Sequence, residues 1–132
     1  MNIILSTRNP SKAQQIKAMF NHHLITVQTL DEVDIEGEAI EDGNTLEENA
    51  FKKALFAQQH AKQPSWTMVD DTGLFITALH GAHGIKAARW AGDNASTDEI
   101  TQYTLEKLKD KLDRSAVFQT VVVLISPTGK KY

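Results

Sequence analysis

The order of its segments predicts an α/β sandwich for this chain. Two observations carry the reading. Short apolar, β-branched runs alternate with amphipathic stretches along the sequence, and at least three of those stretches open on a helix-capping signal. The length, 132 residues, suits a single domain, 1–132, with its own core.

Ile3-Ile4-Leu5 reads as a short buried strand. Asn9 then N-caps a helix with Pro10 at its first position, and Ala13, Ile16 and Phe20 form its apolar stripe. His22-His23 end that helix, and Leu24 to Val27 reads as a second strand. Gly43-Asn44 closes an acidic loop, and Thr45 with Glu48 makes a capping-box pattern. The helix that follows is expected to run to about His60, before Pro64, with Leu46, Ala50, Ala54 and Ala57 on its apolar face. Residues 66–70 and 74–79 read as two strands separated by a turn at Thr72-Gly73, and HGAHG, residues 80–84, as a loop. Ser96-Thr97-Asp98-Glu99 opens a third helix, with Ile100, Tyr103, Leu105 and Leu108 turned inward. Val117 to Ile125 is a long β-branched strand, followed by a turn at Pro127-Thr128-Gly129.

Composition narrows the function classes. Hydrophobic residues make up 41% and charged residues 23%, the ordinary globular range. No apolar run approaches the roughly 20 residues of a membrane-spanning helix, and MNIILSTRNP lacks the pattern of a secretory signal. The absence of cysteine excludes disulfides and thiolate metal sites and fits a reducing cytoplasm. A net charge of −3 argues against a nucleic-acid-coating surface. Residues 31–48 carry nine acids and no Lys or Arg, which reads mostly as a solvated acidic loop.

Three constellations point to phosphate and metal chemistry. STRNPSK, residues 6–12, lies between a strand and a helix start, where backbone N–H groups and the helix dipole favour an anion. Thr7 and Asn9 add side-chain donors, Arg8 lies in the same loop, and Lys12 adds a positive charge in the first helical turn. The plainer reading of Lys12 is a solvated lysine. Thr45, Asn49 and Lys53 recur every four residues and form a polar stripe, with Glu41 just upstream. Asp70-Asp71 places two like charges side by side at an expected strand end. If both turn toward one point, a divalent cation relieves their repulsion, with Glu41 a natural third acid; Mg²⁺ commonly takes one or two carboxylates plus substrate phosphates. The plainer reading is an Asp-initiated turn. Together the three sets imply Mg²⁺-phosphate chemistry. The histidines show no metal-ligand spacing such as HExxH, and only His80 and His83 are kept as candidates for a phosphate contact.

In order and spacing, STRNPSK, EDGNTLEENAFKKA, VDDTGL and GAHGIKAARWAG resemble the inosine triphosphate pyrophosphatase (Ham1-like) family. The resemblance runs from Met1 to about Ile125. It implies a mixed, elongated sheet flanked by helices, a homodimer, and Mg²⁺-dependent hydrolysis of ITP, dITP and XTP to the monophosphate and pyrophosphate. It also implies roles for particular residues. Thr7, Asn9 and Lys12 match the phosphate-binding loop, Lys53 the lysine that reaches the phosphates, and Thr72 a hydroxyl beside the substrate. Glu41, Asp70 and Asp71 match the metal-holding acids, with Asp71 also the proton acceptor.

The chain departs from the family pattern in places. His83 stands where proline is common, and Ala87 where a small hydroxyl residue is common; Arg89 and Trp90 fit the pattern without an assigned role. The family continues beyond the point matching Tyr132, into segments that select the base. The expectation is therefore a C-terminally short relative whose strand at 117–125 has an open edge, covered by a partner chain or by rearranged packing. The alternative to an enzyme is a non-catalytic nucleotide-binding or oligomerising relative. Asp71-Thr72-Gly73 also matches an aspartic-protease signature, but those proteases are all-β, against three capped helices here.

Overall fold

A computed structural model describes residues 1–21, 24–85, 90–92 and 95–132, with His83 described by its backbone. His22-His23, Ala87 and Arg89 lie outside the described residues. The chain is α/β, with strands β1 (Asn2–Leu5), β2 (Thr26–Thr29), β3 (Trp66–Ile76), β4 (Ala82–Gly84) and β5 (Ala116–Ile125). The helices are α1 (Pro10–Phe20), α2 (Leu46–His60) and α3 (Thr97–Lys107). The hydrogen-bonded strand order is β2-β1-β3-β4, with β5 also paired to β3. The sheet is mixed: β2 and β3 run parallel to β1, and β4 runs antiparallel to β3. Among the described residues, no helix is long and apolar enough to cross a membrane.

The chain forms two compact units, Met1–Asp71 with Val121–Tyr132, and Thr72–Thr120. In the first unit, strand alternation sorts β1 and β3 between two helices. Leu5 and Met68 pack with Ala13 and Ile16 of α1 and with Val27. Ile4 packs with Ala57 of α2, and Val69 packs with Ala50 and Ala54 of α2 together with Val123 and Ile125. The fully buried alanines let α2 lie close against the sheet.

The caps form where the sequence places them. The Asn9 side chain accepts from the Lys12 N–H at 3.1 Å, and Thr45 Oγ1 accepts from the Glu48 N–H at 3.1 Å. The return half of the expected capping box at Thr45 is displaced by one residue: Glu48 Oε2 accepts from the Asn44 N–H at 2.6 Å. Ser96 and Glu99 complete a full box at the start of α3.

Four expectations are corrected. β2 begins at Thr26, two residues later than expected, because its parallel register pairs Asn2 with Thr26 and Leu5 with Thr29. Leu24 is left exposed, and its carbonyl accepts from the N-terminal ammonium. The two strands expected at 66–79 are one strand, with no turn at Thr72-Gly73. Gly73 has a different reason: a Cβ there would lie 2.8 Å from the Gly84 carbonyl oxygen, so the glycine lets β4 approach. Part of the HGAHG loop is β4 itself, paired with Leu74–Ile76. Finally, α3 buries none of its own residues; of the four apolar positions expected inside, Leu108 just beyond its end is buried, while Tyr103 and Leu105 are exposed.

In the second unit β5 runs antiparallel to β3, since Thr72 meets Thr120 and the Thr77 N–H donates to the Ser115 carbonyl. Trp90 packs edge-on against Tyr103 of α3, with ring centroids 5.6 Å apart. In the first unit the end of β5 is paired by its own chain. Leu124 and Tyr132 exchange two backbone hydrogen bonds across the Pro127–Gly129 turn, and the Tyr132 ring meets Trp66. Val117, Phe118 and Val122 remain exposed.

Candidate active site

Adjacent residues of a strand point to opposite faces of its sheet, and Asp70 and Asp71 obey that rule inside β3. Asp70 follows Met68 toward α1. Its carboxylate lies 2.6 Å from Lys12 Nζ, which also donates to the Asp70 carbonyl at 2.8 Å. Asp71 follows Val69 toward α2 and lies 3.1 Å from Lys53 Nζ. Lys53 Nζ also lies 2.9 Å from Glu41 Oε2. The repulsion between the adjacent acids is thus relieved by two lysines, one on each face. All five side chains are half-buried, between 16% and 28% exposed, so these pairs are screened less than surface pairs.

The loop after β1 is fixed to both helices. The Ser6 N–H donates to the Met68 carbonyl, and Ser6 Oγ donates to the Lys53 carbonyl of α2 at 2.9 Å. Thr7 Oγ1 accepts from the Asn9 N–H at 3.2 Å, and Asn9 Oδ1 accepts from the Lys12 N–H. Among the described residues, these bonds leave the Thr7 hydroxyl hydrogen and the Asn9 amide NH₂ as donors at the start of α1. The loop also lies at the carboxyl end of β1, where ligands of open α/β sheets bind.

Arg8 is committed elsewhere. Its guanidinium pairs with Asp31 and donates to the Ile35 carbonyl at 2.6 Å and the Gly37 carbonyl at 2.8 Å. Ile35 is itself buried against Ile4, Leu30 and Ala57. Arg8 therefore straps the acidic segment to the loop after β1. The far end of that segment is held by Asn49 of the expected polar stripe, which is 2% exposed and whose Oδ1 accepts from the Gly43 N–H at 2.8 Å. Sequence reasoning missed Ser6, Arg8 and Asn49 as positioning residues. Ser6 and Arg8 lie within the STRNPSK motif, and Asn49 lies one helical turn before Lys53, but their partners are distant in sequence.

Of the residues expected at the site, Lys12, Lys53, Glu41, Asp70 and Asp71 are brought into two linked ion-pair groups. The three acids are divided between them. Among the described residues, no three acidic or histidine side chains gather as a metal-binding group. A donor set for a hard cation is nevertheless present at one point. Glu41 and Asp71 both place a carboxylate oxygen on the Lys53 ammonium, so a positive charge is already held between two carboxylates. Two carboxylates are what a protein commonly contributes to Mg²⁺. Asp70 is paired with Lys12. Thr72 opens the second unit, where its hydroxyl shares a 2.8 Å hydrogen bond with that of Thr120. His80 adopts a left-handed conformation at the end of a 3₁₀ turn, with φ 55°.

The paired lysines and acids thus lie on a mixed α/β sheet beside a helix N-terminus. Comparison with known proteins assigns the family. Residues 3–132 match the model of the Ham1 family, and the chain belongs to that family. It is similar to a dITP/XTP pyrophosphatase of Caldanaerobacter subterraneus subsp. tengcongensis, 38% identical over 127 residues that cover 95% of this chain and 63% of the relative. A dITP/XTP pyrophosphatase of Geobacter sulfurreducens is 36% identical over 132 residues, 98% of this chain and 65% of the relative. The fold is similar to a HAM1 protein from Coxiella burnetii, with a TM-score of 0.86, 32% identity and coverage of 100% of this chain and 68% of that one. The Staphylococcus aureus Ham1 protein gives a TM-score of 0.83 at 30% identity. The chain thus spans a little under two thirds of the length of these curated relatives.

Proposed function

We propose that this protein hydrolyses noncanonical purine nucleoside triphosphates (ITP, dITP and XTP) to the monophosphate and pyrophosphate, with Mg²⁺ as cofactor. The observation that carries the proposal is the meeting of Glu41 and Asp71 at Lys53, beside the Lys12–Asp70 pair and the start of α1. The names of the similar relatives agree with it.

Glu41 and Asp71 would hold the metal, which would supply positive charge to the phosphate oxygens. Thr7 and Asn9 donate to the phosphates from the loop at the start of α1, and Lys12 and Lys53 neutralise them. Asp71 orients the attacking water and accepts its proton. The water oxygen bonds to the α-phosphorus, the bond from that phosphorus to the bridging oxygen breaks, and pyrophosphate leaves. Most of the acceleration comes from positioning and charge stabilisation. Asp70 acts by holding Lys12. The working form is a homodimer in a reducing cytoplasm, which light scattering and fractionation test.

The deciding experiment is a nucleotide panel with product identification, with and without Mg²⁺. ITP or XTP should yield monophosphate and pyrophosphate only with the metal, and Asp71→Asn should lower the rate about 10²–10⁴-fold. No turnover across the panel, or an Asp71→Asn variant of unchanged rate, sinks the proposal.

A further inference from the structure

In the structure, the groups assigned to the two ligands at Lys53 hold one another. Lys53, a phosphate-binding cation, sits between Glu41 and Asp71, the metal-binding acids, at 2.9 and 3.1 Å. Lys12, the second phosphate-binding cation, is closed onto Asp70 through both its carboxylate and its carbonyl. Two positive and three negative side chains largely neutralise one another. Because they are half-buried, a group that loses its partner is not fully compensated by water.

We infer that a divalent cation and a polyphosphate bind this site with positive coupling, each opening it for the other. A divalent cation arriving alone competes with Lys53 for Glu41 and Asp71, and displaces an ammonium that then faces the metal with no partner. A polyphosphate arriving alone draws off Lys53 and leaves Glu41 and Asp71 unpaired beside an anion. Arriving together, the two ligands exchange the broken Lys53 pairs for new ones: Glu41 and Asp71 to metal, Lys53 to phosphate. Coupling is reciprocal, so the factor by which one ligand tightens the other is the same in both directions, typically about 5–150-fold. The inference rests on the ligand roles proposed above but concerns binding, not turnover.

The pairing makes a prediction of unusual sign: removing a site lysine improves metal binding, and removing a site acid improves anion binding. Mn²⁺ alone is titrated into chelator-treated full-length protein and followed by the loss of its free-ion paramagnetic resonance signal. Lys53→Met should bind Mn²⁺ at least about 5-fold tighter than the parent. Lys52→Met is the control. It removes the same charge from a neighbouring pair, Lys52 with Asp42, that is more exposed. In the second arm, tripolyphosphate is titrated by calorimetry in excess chelator. Glu41→Gln should bind it at least about 5-fold tighter, and Glu47→Gln, an exposed acid of the first α2 turn, should not. Far-UV circular dichroism establishes that each variant is folded, and the Glu41→Gln arm decides alone if Lys53→Met is not. Variants that bind their probe no more tightly than the parent, or shift no more than the matched controls, overturn the coupling. Because both probes are inorganic, the result separates from the nucleotide panel. Turnover without these shifts sinks the coupling alone, and the shifts without turnover sink the proposed reaction alone.

Discussion

Replacing Arg8 with Met keeps the aliphatic stem and removes the guanidinium. Three interactions go with it: the donations to the Ile35 and Gly37 carbonyls at 2.6 and 2.8 Å, and the pair with Asp31. A hydrogen bond from a charged donor contributes about 1.5–3 kcal/mol. The half-buried bond to Ile35 takes the lower part of that range, and the exposed bond to Gly37 contributes less. Asp31 is 76% exposed, so its ion pair adds only about 0–1 kcal/mol. The total is about 2–3 kcal/mol, or a fall of about 6–12 °C in thermal midpoint for a chain of this size. Thermal unfolding followed by tryptophan fluorescence measures the loss. Limited proteolysis should show faster cleavage between residues 36 and 42, because the strap over that segment is gone. A loss under about 0.5 kcal/mol would refute the strap. An unchanged midpoint with a raised KM for nucleotide would instead place Arg8 on the phosphates.

Gly43→Ala should destabilise by about 1–3 kcal/mol, since its Cβ would lie 2.6 Å from Asn49 Oδ1 and 2.8 Å from Glu48 Cβ; a denaturant midpoint equal to the parent's contradicts this. Ala54→Leu, at a fully buried position against Val69, should cost about 1–3 kcal/mol by overpacking, while Ala18→Leu on the exposed side of α1 should stay within about 0.5 kcal/mol in the same urea titration. The N–H of Ser96, then its side chain, hold the Glu99 carboxyl below the ordinary glutamate range. A depressed folded value means that the stabilisation is present above the unfolded value and is lost as pH falls through the folded one. Acid titration of helicity should therefore show a component that Glu99→Gln removes, and identical curves for the two proteins would rule it out.

What was legible in the sequence is what short-range physics controls. The helix starts at Asn9, Thr45 and Ser96 are caps whose partners lie three residues away. The strand cores at Ile3–Leu5 and within β5 show as apolar runs, and the Ala50, Ala54, Ala57 stripe shows as helical spacing. Lys12 was legible for the same reason, as a lysine in the first turn of a capped helix, whereas Lys53 in mid-α2 and Asp70-Asp71 inside β3 were legible only as residue types. The boundaries that slipped were those that a partner strand decides. β2 starts where β1 pairs with it, and Thr72-Gly73 is extended because β4 and β5 border it, although in isolation the pair reads as a turn.

The sequence by itself determined an α/β chain with three capped helices, and it singled out Lys12, Lys53, Glu41, Asp70 and Asp71. Only the tertiary structure decided who meets whom within that set. Lys12 reaches Asp70 across 58 positions, and Lys53 reaches Asp71 across 18. Strand alternation sends the adjacent aspartates to different helices, so each is paired with a different lysine. The physical reason is range. Caps and periodicity act within a few residues, whereas a side chain's charge partner is set by which face of the sheet it shares, and that is settled only when the helices pack.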